Sequence, residues 1–223
     1  MRTLAIDIGG THVKVLAEGE KTPIKIDSGS FMTPEIMTAS VLKAAEHWKY
    51  DRIAIGYPGP VVNDTPVLDP HNLGPGWVDF AYETSFGKPV RMLNDAAMQA
   101  LGSYHGGRLL FLGLGTGLGS AMVIDGIVQP MELAHLPYKK GRTYEDYVGL
   151  RGLQRLGKKK WRKTTYEVIE LLHAALRTDS VVLGGGQAKL LKKLPRHIQL
   201  GSNDNAFRGG FKLWKGPDPS KLK

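Results

Sequence analysis

The sequence predicts an α/β chain folded as two similar lobes with a cleft between them. Two observations carry this. A strand, a glycine turn and a second strand occur near residues 4–17 and again near 109–124. Helical periodicity then alternates with further short apolar runs, as strands and helices do in an α/β fold. The lobes are expected at residues 1–93 and 94–223.

The elements follow in order. Thr3 to Ile8 reads as a buried strand, Val13 to Ala17 as its neighbour, and Ile24 to Ser28 as a third. Thr33-Pro34 is a helix start, with Met37, Val41, Ala44, Ala45 and Trp48 at helical spacing. Arg52 to Tyr57 is a strand closed by Pro58-Gly59-Pro60, and Asn63 to Gly87 reads mostly as loop. Val90 to Leu93 is a strand, and an Ala-rich helix runs from Ala96 to about Tyr104. The second cycle takes Arg108 to Leu112, the turn Gly113 to Gly119, Ser120 to Ile124, and a hairpin signal at Asp125-Gly126. Thr164-Thr165-Tyr166-Glu167 has the pattern of a capping box opening a helix. Ser180 to Leu183 is a strand that ends in Gly184-Gly185-Gly186, and a frayed tail is expected after Lys215.

Composition excludes several classes. There is no cysteine among the 223 residues, hence no disulfide, thiolate metal site or cysteine nucleophile. Met1-Arg2-Thr3 leads directly into the first strand, so no signal peptide is expected, and the longest uncharged stretch, Leu109 to Ile124, is glycine-rich and short of the ~18 residues of a membrane span. A cytoplasmic protein with no membrane partner is expected. The formal charge is +9, and Lys139 to Lys163 alone holds ten Lys/Arg against two acids. Such a block points either to an anionic partner or to a solvated basic face. It carries no nucleic-acid-binding motif, so no nucleic-acid partner is expected.

The glycine turns match neither of two common nucleotide motifs. No G-x-x-x-x-G-K-[ST] occurs, and Gly113 to Gly119 gives no G-x-G-x-x-G in any register, because Leu118 and Ser120 fall where the last glycine belongs. Asp7-Ile8-Gly9-Gly10-Thr11-His12-Val13-Lys14 could nonetheless bring backbone N–H groups and a hydroxyl to phosphate oxygens, and Gly115-Thr116-Gly117 repeats that chemistry. Asp7 could hold Mg²⁺ through water, and Lys14 could supply charge. Either turn alone would read equally well as an ordinary hairpin.

Together these motifs resemble the ROK family of sugar kinases. Pro58-Gly59, Asn72-Leu73 with Gly76-Trp77, Leu93-Asn94-Asp95-Ala96, Glu132-Leu133-Ala134-His135 and Val182 to Gly186 resemble further family motifs, in family order, over residues 3–210. Ala134 stands where the family has glycine. The resemblance implies an actin/hexokinase-like (ribonuclease H-like) fold with the active site in the inter-lobe cleft. It implies Asp95 as the base that takes the proton of a hexose hydroxyl, although Asp95 also suits the cap of the following helix. It implies Asn72, Asn94, Glu132, His135 and Glu145 on the sugar. Asp7, Gly9, Gly10, Thr11, Lys14, Gly115, Thr116, Gly117, Gly184, Gly185 and Gly186 would lie on the phosphoryl donor.

No cysteine lies between His135 and Glu145, so the zinc loop common in the family is not expected. With the first strand beginning at residue 3, no preceding DNA-binding domain is expected, and the 37 residues after Gly186 predict a reduced adenosine pocket. Tyr144 to Gly149 and Leu156 to Arg162 resemble the polyphosphate glucokinase branch, with Lys158, Lys159, Lys160, Arg162 and Lys163 as a polyphosphate track. The expected activity is phosphoryl transfer from polyphosphate, ATP or both to a hexose, glucose foremost, by a homodimer. The alternatives are an ATP-dependent kinase of another hexose or N-acetyl-hexosamine, and a non-catalytic sugar sensor.

Overall fold

Continuous apolar runs build two central parallel strand sets, because a strand covered on both faces cannot alternate. The computed structural model describes residues 1–202 and 204–216; the tail expected to fray lies outside them from residue 217 onward. The described chain divides into two units, Met1–Met98 with Ala206–Gly216, and Gln99–Asn205.

In the first unit β1 (Thr3–Ile8) and β2 (His12–Ala17) form an antiparallel hairpin, and β3 (Ile24–Asp27) adds to its outer edge. Helix α1 (Pro34–Ala44) starts where Thr33 accepts the Ile36 N–H. Strand β4 (Arg52–Tyr57) returns parallel to β1. A two-residue pair, β5 (Val61–Val62) with β6 (Thr65–Pro66), and the short α2 (Tyr82–Phe86) occupy the stretch expected to be loop. Strand β7 (Val90–Asn94) then pairs in parallel with β4, giving the order β3-β2-β1-β4-β7. Leu4, Ile6, Val15, Met37, Val41, Ile53, Ile55 and Trp77 fill the core.

Helix α3 (Asp95–Ser103) leads into the second unit. There β8 (Arg108–Leu114), β9 (Leu118–Ile124) and β10 (Ile127–Met131) form an antiparallel meander. Asp125 and Gly126 close its second turn at φ 51° and 80°, the paired positive angles that a tight hairpin requires. After α4 (Tyr144–Val148) and α5 (Leu150–Leu176), β11 (Ser180–Gly184) and β12 (Ile198–Leu200) join in parallel. The order β10-β9-β8-β11-β12 has the same directions as the first sheet. The repeat seen in the sequence is thus a repeat of topology.

Helix α6 (Asn205–Leu213) returns the chain to the first unit, where Trp214 donates to the Ile53 carbonyl at 3.0 Å and lies beneath the guanidinium groups of Arg52 and Arg91.

The expected helix start at Thr164 is wrong. Thr164 and Thr165 lie inside α5, which begins at Leu150 and is interrupted only at Gly157, with φ 72° and ψ 158°. Thr165 is buried and donates its hydroxyl to the Trp161 carbonyl one turn back, a mid-helix bond that the same residue types form as readily as a cap. The capping box of this region is Thr143 with Asp146, at the head of α4. Among the described residues no helix is long and apolar enough to cross a membrane.

Candidate active site

In the first unit the antiparallel register sets Asp7 opposite Lys14, and Lys14 Nζ donates to Asp7 Oδ2 at 3.1 Å. The turn between them is closed by the Gly9 N–H on the His12 carbonyl at 3.0 Å, leaving Thr11 exposed at its tip. A Cβ added at Gly10 would stand 3.5 Å from the Asn72 Cβ, so the glycine turn and the Asn72 loop are neighbours.

Sequence reasoning missed the residue that shapes that loop. Asp69 accepts the N–H groups of Gly76, Trp77 and Val78 at 3.0, 2.8 and 3.3 Å. Trp77 is buried and donates to the Gly74 carbonyl, and Gly74 donates to that of Met32. Asn72 is therefore held exposed on a fastened loop. The signal was an Asp seven residues before a Gly-Trp pair, too ordinary to single out. These N–H groups, that of Gly76 foremost, hold the Asp69 carboxyl below its usual range. The fastening is then fully present above about pH 4 and is lost as pH falls through the lowered value. Asp69→Ala removes the shared acceptor of three N–H groups; water takes the two exposed ones, so the loss is about 0.5–1.5 kcal/mol and falls mainly on the Trp77 N–H. We expect the KM for sugar to rise about tenfold or more. The melting-temperature gap to the wild type should be present at pH 7 and shrink below about pH 4.

Asn94 ends β7, and its Oδ1 accepts the Ala96 and Ala97 N–H groups at 2.9 and 3.3 Å. Its Nδ2 donates to the Gly59 carbonyl at 3.1 Å, tying the Pro-Gly turn to the head of α3. Asp95 Oδ1 also receives the Ala96 N–H, at 2.7 Å. Capping thus falls mainly to Asn94, one of the expected sugar ligands, which keeps one N–H for a further partner.

In the second unit Gly115-Thr116-Gly117 joins β8 to β9. The first N–H of α5, from Leu150, reaches the Gly115 and Thr116 carbonyls, each at 3.2 Å. Glu145 on α4 accepts the Leu118 N–H at 3.2 Å, and a Cβ at Gly117 would fall 2.3 Å from its Oε2. Glycine at 117 is what lets the carboxylate approach. Gly185, at φ +80°, would drive a Cβ to 2.2 Å from the Leu114 carbonyl, and Gln187 donates to that same oxygen at 3.1 Å. The triplet Gly184–Gly186 therefore abuts the strand that leads into the second glycine turn.

Glu132 and His135 flank the 3₁₀ turn Leu133–His135 with Oε2 and Nε2 4.0 Å apart, both largely exposed. Ser120 anchors the segment, accepting from Leu133 N–H and donating to the Met131 carbonyl. Lys160 and Lys163 line one concavity together with Lys139 and Arg155; Lys158 and Lys159 line a shallower one beside it. Arg162 is half-buried.

Two five-stranded sheets of one repeated topology, each with a glycine turn after its first strand, define an actin/hexokinase-like α/β protein. The ROK family model matches residues 3–130, more than half of the sequence, and the chain belongs to the ROK family. No curated protein sequence gives a match. Among solved structures it is similar to an inorganic polyphosphate/ATP-glucomannokinase from Arthrobacter sp. strain KM, at 20% identity and TM-score 0.78 over 96% of this chain and 97% of that one. A ROK family glucokinase from Streptomyces griseus, in complex with glucose and AMPPNP, gives 17% and 0.73 over 96% and 99%. A ROK family transcriptional regulator, a homologue of the E. coli MLC protein, gives 16% and 0.69 over 96% and 77%.

Proposed function

We propose that the chain is a sugar kinase that transfers a phosphoryl group from polyphosphate, ATP or both to a hexose hydroxyl, converting glucose to glucose 6-phosphate. The observation that carries this reading is the first unit, where Asp95 directly follows β7, a strand of the sheet whose β1–β2 hairpin carries the Asp7–Lys14 pair and the glycine turn beside the Asn72 loop. In the proposed reaction the hydroxyl oxygen attacks the terminal phosphorus as its proton passes to Asp95. The phosphoanhydride bond breaks, and ADP or the shortened polyphosphate leaves with the electron pair.

Asn72, the remaining N–H of Asn94, Glu132, His135 and the free oxygen of Glu145 would hold sugar hydroxyls. N–H groups of the two glycine turns, the Thr11 and Thr116 hydroxyls and Lys14 would hold the phosphates, with Gly184–Gly186 on the nucleotide side when ATP serves. Among the described residues no three His, Asp or Glu gather to cage a metal. A Mg²⁺ ion would be held by donor phosphates and water, with Asp7 as its protein partner, and when bound would neutralise charge on the phosphates. We place the enzyme in the cytoplasm as a homodimer, on the family resemblance.

The regulator among the similar structures favours one other reading, a sugar sensor without catalysis. An assay of several hexoses and N-acetyl-hexosamines against ATP and polyphosphate decides. Turnover is expected with glucose and at least one donor, and excess EDTA should abolish it. Sugar binding with no turnover on any pair would make the chain a sensor.

A further inference from the structure

We propose that Asp64, at the tip of the β5–β6 hairpin, is a positioning residue for the reaction: its carboxylate closes the open edge of β7 and so fixes the strand end that presents Asn94 and Asp95. The inference rests on the reading of Asp95 as the base. The hairpin's own sequence is the first sign. Asn63 and Asp64 form its two-residue turn, at φ 50° and 61°. Paired left-handed angles favour glycine at the second position, and Asn-Gly is the usual pair. Aspartate is a weaker choice for the turn itself. What the position gains is a side chain: Asp64 Oδ1 accepts the Met92 N–H at 2.8 Å, a hydrogen bond strengthened by the carboxylate charge.

Strand β7 is the last of its sheet, so its N–H groups on the side away from β4 have no ladder partner. Carboxylates take that place. The Val90 N–H goes to Glu83 Oε1 at 3.1 Å, and the Met92 N–H goes to Asp64. Asn94 follows with its Nδ2 on the Gly59 carbonyl at 3.1 Å. Every second residue of β7 is thus held from outside the sheet. Arg91, between them, steadies the Asp64 carboxylate, with Nε 3.8 Å from Oδ2. The same guanidinium lies over Trp214 and donates from Nη1 to the Leu213 carbonyl at 2.9 Å.

The segment that carries Asp64 is anchored at both ends. Gly59 is tied to Asn94, and the Leu68 carbonyl accepts the Tyr57 hydroxyl at 2.8 Å. The hairpin is therefore a brace whose tip grips β7 just before Asn94 and Asp95. Without the Asp64 contact, the β4 ladder alone restrains the strand at Met92. A general base works only within hydrogen-bond reach of the proton it takes, so small drifts of the strand end are costly in rate.

Two variants test the brace. Asp64→Gly removes the carboxylate yet leaves the Asn-Gly pair that the turn favours, so the hairpin itself is spared. Asp64→Asn keeps an acceptor oxygen and tolerates the left-handed angle. In Asp64→Gly, amide hydrogen exchange should quicken about tenfold or more at Met92 and spread to Ala96 and Ala97, while Asp64→Asn stays near the wild type. The kcat should fall about tenfold in Asp64→Gly, with the KM for sugar within about threefold, and recover in Asp64→Asn. In an Asp95→Ala background Asp64→Gly should cost no further rate, because the brace acts through the base. Unchanged kcat in Asp64→Gly, no recovery in Asp64→Asn, or an equal loss in both backgrounds would each overturn the proposal. If exchange quickens as expected while Asp95→Ala keeps wild-type turnover, the base reading fails and the bracing of the strand end stands. If Asp95 proves to be the base and exchange beyond Met92 is unchanged, the brace fails and the base reading stands.

Discussion

Asp95→Ala is expected to lower the rate of sugar phosphorylation by about 10²–10⁴, the usual cost of a lost general base. The start of α3 should survive, because Asn94 keeps the Ala96 and Ala97 N–H groups at 2.9 and 3.3 Å. Asn72 sits on a loop fastened by Asp69, a group the substitution does not touch. The loss should therefore fall on kcat, with the sugar dissociation constant changing by no more than a few-fold. Single-turnover rates and calorimetric sugar titration measure the two separately. Turnover near that of the wild type would remove Asp95 from the mechanism.

The second large effect is on stability. Trp161→Ala should destabilise the second unit by about 3–5 kcal/mol, the range for emptying a buried aromatic site. Trp161 is fully buried, packs in the core of the second unit, and donates to the Val148 carbonyl at 2.9 Å. It thereby pins α5, just past its break, to the end of α4. Total stabilities of ~5–15 kcal/mol make such a loss visible as an early transition in urea. Because the chain forms two units, tryptophan fluorescence and circular dichroism should be followed together, and the early transition should belong to the second unit. A loss under about 1 kcal/mol would show that the helix is anchored elsewhere.

The central strands were legible because burial on both faces writes an unbroken apolar run: Arg52 to Tyr57 was read with its observed bounds, and Thr3 to Ile8 likewise. The Thr33-Pro34 start and the Asp125-Gly126 turn were legible because each needs particular residues at particular angles. Strand β12 and helix α6 were not read. Strand β12 has only three residues, two of them exposed, and α6 carries Gly209-Gly210 at its centre, which argues against a helix locally. The start of α5 was displaced by fourteen residues because a Thr-x-x-Glu pattern does not distinguish a cap from a mid-helix threonine. In the candidate site the glycine turns and Asp95 stood out through residue type and order. Asp69 did not, since its role exists only once three N–H groups converge on it.

The break at Gly157 gives α5 a second beginning, and three lysines, Lys158, Lys159 and Lys160, occupy its first turn. Backbone N–H groups make that end of a helix partly positive, so each lysine there opposes the local field by roughly 0.3–1 kcal/mol. Acids would have served folding better at all three positions. The segment thus carries a built-in electrostatic frustration, and its sequence is set by something other than the stability of the isolated chain. Any polyanion that settles against it relieves that frustration, so the ligand-bound protein should be the more rugged form.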